Sequence, residues 1–183
     1  MKNFDEKNLG YNIVLIGFMG AGKSTVSAYL NSRYNMEVIE MDQVISDREK
    51  MTISDIFAVH GEEYFRNLET NLLIEMQSQT NKVISCGGGV AMRECNVAEM
   101  KKNGRVVLLK AAPETILERV KNSNERPLLN GHKDVTYISN LMEVRRPKYE
   151  AAADIMIDTD QKNVAEICEE IMQKLKEMDE KDV

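Results

Sequence analysis

The sequence predicts an α/β domain in which a five-stranded parallel sheet is flanked by helices, and three observations carry that expectation. Short apolar runs alternate with stretches of helical periodicity along the whole chain. The middle runs are β-branched or Leu-rich on both faces, as befits strands covered on both sides. Finally, Ile13-Val14-Leu15-Ile16 passes straight into the glycine-spaced segment Gly17-Phe18-Met19-Gly20-Ala21-Gly22-Lys23-Ser24-Thr25, followed by a segment able to continue as a helix. Strand, glycine loop and helix in that order form a phosphate-binding unit.

The predicted strands are Tyr11 to Ile16, Met36 to Glu40, Lys82 to Cys86, Arg105 to Lys110 and Asp154 to Asp158. Between the second and third lies a connection too long for a simple crossover helix, residues 42–81, which is expected to hold a small helical subdomain. Within it Thr52-Ile53-Ser54-Asp55 reads as a capping box. Gly61 then breaks the run, and a longer helix carries Tyr64, Phe65, Leu68, Leu72, Leu73 and Met76 at spacings of three and four. Gly87-Gly88-Gly89 follows the third strand and permits close approach of another group. Pro113 suits the first turn of a helix through Ile116, Leu117 and Val120.

Residues 123–135 are polar, contain Pro127 and Gly131, and read as a lid holding Arg126. A helix with Ile138, Leu141, Met142 and Val144 then leads to Arg145-Arg146-Pro147. The last helix is capped by Asn163 with Glu166 three residues on, and carries the apolar stripe Val164, Ile167, Cys168, Ile171, Leu175 and Met178.

A chain of 183 residues with 43% hydrophobic and 30% charged residues is sized and composed as one globular domain spanning 1–183. The net charge of -6 and the lack of a long Lys/Arg cluster argue against nucleic acid as a partner. No apolar leader or run of membrane-spanning length is present, so a cytoplasmic chain with no membrane contact is expected, working as a monomer. Three scattered cysteines, Cys86, Cys95 and Cys168, lack the spacing of a disulfide framework or zinc site. His60 and His132 are the only histidines, and both read as solvated side chains.

The glycine loop sets the chemistry. Its amides point inward around an anion, with the helix N-terminus behind them, while Lys23 adds a charge that reaches the outer phosphates and Ser24 supplies a magnesium ligand. The guanine-selective pattern NKxD is absent, and Val83-Ile84-Ser85-Cys86-Gly87 ends without a magnesium-holding Asp. A regulatory GTPase is therefore disfavoured. Several acids, arginines and glycines around the loop remain to be accounted for.

Those residues carry a resemblance. GFMGAGKST, the acids of Glu40-Met41-Asp42, the pattern IFxxxGExxFRxxE, SCGGG, RPLL around Arg126 and RxPxY from Arg145 resemble the shikimate kinase family over nearly the whole chain. The resemblance implies a three-layer P-loop kinase fold like that of nucleoside monophosphate kinases, with a helical substrate-binding subdomain and a lid. It implies transfer of the ATP γ-phosphate, with Mg²⁺, to the 3-hydroxyl of shikimate, on the route to chorismate and the aromatic amino acids. Lys23, Asp42 and Arg126 are then the catalytic residues. Gly20, Ala21, Gly22, Lys23, Ser24, Thr25, Arg119, Arg126 and Lys162 bind ATP, with Arg119 stacking on adenine. Asp42, Phe57, Phe65, Arg66, Gly87, Gly88, Gly89 and Arg145 bind shikimate: the arginines its carboxylate, Asp42 its hydroxyls, the phenylalanines as apolar walls. Glu69 is placed to hold the Arg66 guanidinium. Ser24 and Glu40, the latter through water, hold the metal.

Two positions depart from the family pattern: Glu40, where DxD is frequent, and Val164 near the adenine site, where Pro is frequent. On charge alone Arg66 with Arg145 suits gluconate as well as shikimate, so a kinase for gluconate or a nucleoside monophosphate is the competing expectation, with a non-catalytic ATP-binding module as a third.

Overall fold

A computed structural model describes residues 9–121 and 134–181. Its centre is a five-stranded parallel sheet of order β2-β3-β1-β4-β5: β1 Asn12–Ile16, β2 Glu37–Glu40, β3 Lys82–Ser85, β4 Gly104–Lys110 and β5 Ile155–Asp158. The register runs Leu15 to Ser85 on one side of β1 and Ile16 to Leu108 on the other. All five strands therefore end on the same edge, next to the point where strand order reverses around β1, and in such sheets that crevice is where ligands bind.

Burial follows strand position. Ile13, Val14, Leu15 and Ile16 of the central strand are all at most 1% exposed. The edge strand β5 instead alternates buried Ile155 and Ile157 with exposed Met156 and Asp158. β2, at the other edge, is only partly covered.

The helices are α1 Lys23–Tyr34, α2 Met41–Glu49, α3 Ile53–His60, α4 Glu62–Met76, α5 Glu94–Lys102, α6 Pro113–Val120, α7 Val135–Ala152 and α8 Val164–Lys181, with a short 3-10 turn at Val90–Met92. The long connection after β2 holds α2, α3 and α4, as expected. Local chemistry sets their ends. The Asp55 amide donates to Thr52 Oγ1 at the start of α3, and Gly61, at φ 83°, closes α3 and opens α4. The capping box of α8 is reciprocal: the Glu166 amide donates to Asn163 Oδ1 and the Asn163 amide to Glu166 Oε2. Five members of the predicted stripe or its flank, Ile167, Cys168, Ile171, Met172 and Leu175, are buried against the sheet.

The largest departure from the sequence reading is α7. Rather than giving way at Arg145-Arg146-Pro147, it continues through Pro147 to Ala152. An interior proline costs a helix about 3 kcal/mol, but Tyr149 and Ala152 beyond it are buried, as is Ile138 before it, so tertiary packing holds the last turns. Arg145 accordingly sits inside a helix and not at its end, and Val144, read as apolar periodicity, is exposed. The segment read as a lid, with Arg126, lies outside the described residues apart from Asp134 and Val135.

Candidate active site

A cleft of about 1230 Å³ opens at the C-terminal edge of the sheet. Its floor is the loop between β1 and α1. Gly20 there has φ 78°, and an added Cβ would stand 2.8 Å from Val120 Cγ1, so both backbone angle and space demand glycine. Gly22, at φ 101°, caps α1, whose N-terminal amides and dipole favour an anion. Lys23 Nζ donates to the carbonyls of Gly17 at 2.8 Å and Phe18 at 3.1 Å, which holds the ammonium over the loop. Gly20, Ala21, Gly22, Lys23, Ser24 and Thr25 all line the cleft.

Glu40 reaches this floor from the end of β2. Its carboxylate accepts from Ser24 Oγ at 3.1 Å and from Ser27 Oγ at 2.5 Å. A hydroxyl and a carboxylate oxygen side by side are hard donors that suit Mg²⁺. Among the described residues no group of three or more His, Cys, Asp and Glu could hold a metal ion. The donor set therefore fits an ion shared with phosphate oxygens and water, which is how Mg²⁺ is ordinarily held at nucleotide sites.

One wall is built around Arg119 of α6. Its guanidinium donates to the Gly20 carbonyl at 3.1 Å and to Thr159 Oγ1 at 3.2 Å, tying the phosphate loop to the turn after β5. Thr159 is buried, and its hydroxyl donates in turn to the Lys110 carbonyl. Lys162 and Val164 line the same wall, and Lys162 is paired with Glu170 at 2.6 Å.

At the other end of the cleft stand Asp42, in the first turn of α2, and the glycine turn after β3. A Cβ on Gly87 would lie 2.7 Å from Asp42 Oδ1 and 2.9 Å from Glu69 Oε1; one on Gly89 would lie 2.3 Å from Arg66 Nη1. The missing side chains are thus what lets an acid pair and a guanidinium close on this turn. Arg66 of α4 is braced by Glu69 Oε2 at 2.8 Å and Glu62 Oε1 at 2.9 Å. It also lies 5.9 Å from the Phe57 ring and 5.4 Å from the Phe65 ring. Those rings pack together at 4.9 Å. Phe65 is buried, so it supports Arg66 from beneath, while Phe57 is the more open of the two. Arg145 approaches from α7, donating to the Gly88 carbonyl at 3.3 Å. Arg66 and Arg145, distant in sequence, thus border the same three-residue turn.

Glu69 is fully buried, and its Oε1 has no hydrogen-bond partner among the described residues. Burial pushes its carboxyl up to about 7; Arg66 opposes that, and the neighbouring Asp42 adds to it. For Arg66 burial works against the charge, yet Glu69 and Glu62 together leave it above its ordinary value. Cys86, at the floor of the turn, is buried and its thiol is raised far above its usual range by desolvation, so it stays neutral.

The expected site residues within the described part border this cleft or the adjoining glycine turn, except Phe57 and Phe65, which stand beside Arg66; Arg126 is not among the described residues. The sequence reading missed Ser27, Thr159, Glu62 and Tyr149. Ser27, at three residues from Ser24 on one helix face, and Glu62, four residues before Arg66 on α4, were detectable by spacing; Thr159 and Tyr149 act through long-range contacts to Lys110, Arg119 and Gly88 that no local pattern encodes.

Residues 19–176 match the family model described as shikimate kinase. A shikimate kinase of Dehalococcoides mccartyi is 43% identical over 166 residues, which is 91% of this chain and 94% of that relative. The solved shikimate kinase from Acinetobacter baumannii in complex with shikimate superposes with a TM-score of 0.85 at 33% identity, covering 90% of this chain and 92% of that one. A gluconokinase from Sinorhizobium meliloti has the same fold, with a TM-score of 0.61, at only 18% identity.

Proposed function

Because this chain belongs to the shikimate kinase family, we propose that its cleft transfers the ATP γ-phosphate to the 3-hydroxyl of shikimate, with ATP on the β1–α1 loop and shikimate at the triple-glycine turn. The observation that carries the arrangement is the pairing of Arg66 and Arg145 across that turn, with Asp42 between the turn and the phosphate loop. Two guanidinium forks suit the acceptor's carboxylate, since planar Arg matches a carboxylate bidentately. Residues 42–81 serve as the acceptor-binding helices of a single kinase domain.

In the reaction the acceptor oxygen bonds to the γ-phosphorus as the bond from that phosphorus to the ADP oxygen breaks. The hydroxyl proton passes to the Asp42 carboxylate. Phosphoryl transition states are loose, so positioning and charge contribute more than proton removal. Lys23 Nζ, already held over the loop carbonyls, neutralises charge on the transferring group; Arg126, by the family motif that contains it, adds a second cation. Mg²⁺, held by Ser24 with Glu40 behind it, supplies charge neutralisation on the phosphates when bound. Arg119 and Val164 take the adenine side, with Lys162 nearby.

The test is ADP release by the purified protein from MgATP with shikimate, gluconate, a nucleoside monophosphate or no acceptor. Release that requires shikimate supports the reading. Release driven by another acceptor overturns the substrate, and ATP binding without release under any condition overturns catalysis.

A further inference from the structure

The three carbonyls of Gly87-Gly88-Gly89 are disposed of in two ways. Gly87 O accepts from the Val90 amide at 3.2 Å and Gly89 O from the Met92 amide at 3.1 Å, both within the turn itself. Gly88 O instead accepts from two side chains of α7, the Tyr149 hydroxyl and Arg145 Nη1. The backbone amides of the three glycines have no hydrogen-bond partner among the described residues. Each carbonyl already accepts at least one hydrogen bond while the three amides have no partner of their own, so the unpartnered groups the turn offers a ligand are N–H donors, which suit acceptor oxygens.

Tyr149 stands where three parts of the site meet. It lies one helical turn beyond Arg145 on α7, on the same face, and its hydroxyl shares the Gly88 carbonyl with Arg145 Nη1 as a common acceptor. The position a Gly88 Cβ would take lies 3.8 Å from the Tyr149 hydroxyl, 3.6 Å from the Met19 amide nitrogen and 3.8 Å from the Gly17 carbonyl. Gly88 thus lies beside both the phosphate loop and Tyr149. The ring is buried, and desolvation holds the phenol above its ordinary value, so it remains a donor throughout the working pH range.

We propose that Tyr149 is a positioning residue for the phosphoryl acceptor, its hydroxyl fixing the Gly88 carbonyl and the Arg145 guanidinium together so that the turn's amides and the carboxylate-binding arginine face the acceptor as one unit. This rests on the reading that Arg145 and the glycine turn bind shikimate. The hydroxyl touches neither substrate; it acts through Gly88 and Arg145.

Tyr149→Phe removes one oxygen and keeps the buried ring. Loss of a donor to a buried acceptor weakens the arrangement it holds, and the shikimate KM is expected to rise about tenfold, with the ATP KM changing less than about twofold on the same reasoning, because the phosphate loop is held by Lys23 and Arg119 and not by Tyr149. A general loosening of the fold would raise both together, and that outcome overturns the proposal, as does an unchanged shikimate KM. The melting temperature is followed in parallel: a large fall without a selective change in KM shows the hydroxyl to be a stability element only. The unsubstituted protein is the control for the functional reading, since absence of shikimate turnover there refutes the substrate and leaves the clamp on Gly88 unaddressed by KM. In that case shikimate-independent proteolysis of the 87–92 turn decides: the clamp predicts faster cleavage in Tyr149→Phe, and equal rates overturn it.

Discussion

Replacing Glu69 by Gln gives a sharp test of the electrostatics around Arg66. Glu69 is completely buried, one oxygen bonded to Arg66 Nη1 and the other facing the gap beside Gly87 and Asp42. The groups that face it are Arg66 on its own helix, Asp42 from α2 and Arg93 next to α5. Burial is the largest influence and raises the carboxyl from an ordinary 4.5 to about 7. The folded chain therefore binds this proton more tightly than the unfolded chain, and the linkage sign follows: between those two values the unfolded state holds fewer protons, so stability falls as pH rises. At about 1.4 kcal/mol per pH unit, the loss approaches 3 kcal/mol by neutral pH and levels off above it. Glutamine keeps the acceptor for Arg66 and cannot ionise. Urea unfolding of both proteins at intervals from pH 4.5 to 8.5 isolates this group, because histidines and surface acids titrate alike in the two. The difference in stability should move in favour of the Gln protein by about 3 kcal/mol across that range. Parallel curves would mean that Glu69 does not titrate there. A difference moving the other way would mean that the Arg66 pairing outweighs burial and holds Glu69 ionised.

Three other outcomes are expected. Arg66→Lys keeps a cation beside Glu69 but loses the planar fork, and the shikimate KM should rise about tenfold or more while the ATP KM holds; steady-state kinetics in both substrates checks this, and an unchanged shikimate KM removes Arg66 from the acceptor site. Glu40→Ala strips the carboxylate that accepts from Ser24 and Ser27, and the Mg²⁺ concentration for half-maximal turnover should rise about tenfold or more, as removal of groups behind a metal ligand ordinarily does; turnover with the same Mg²⁺ dependence would sink the role given to Glu40. Asn163→Ala breaks the reciprocal cap of α8, which should cost about 1 kcal/mol and lower the melting temperature by about 2–4 °C, with kcat unaltered. A melting temperature that does not move would show the cap to be redundant.

The strands, the phosphate loop and the caps were legible in the sequence because each is a local pattern. Val14 and Leu15 are buried on opposite faces of β1, and an unbroken apolar run says so directly. Gly20 and Gly22 lie where the backbone has positive φ, and their spacing before Lys23 announces it. Thr52 and Asn163 cap helices through partners three residues away. The arginines and Asp42 were found differently, through motifs similar to a family, since nothing local distinguishes Arg66 or Arg145 from a solvated helix charge.

What only the tertiary structure decided is how distant pieces converge. The order β2-β3-β1-β4-β5 puts the ends of β1, β2 and β3 side by side, so Glu40 meets Ser24 and Asp42 meets the glycine turn. Burial then sets chemistry that composition cannot: Glu69 reads in sequence as an ordinary helix acid, and it becomes a carboxyl near neutrality only because α4 lays it beneath Arg66 and against Gly87. Pro147 alone predicts the end of α7, yet the burial of Tyr149 carries the helix past it and brings a hydroxyl to Gly88. Local rules act over three or four residues, whereas desolvation and long-range hydrogen bonds depend on which surfaces the fold presses together.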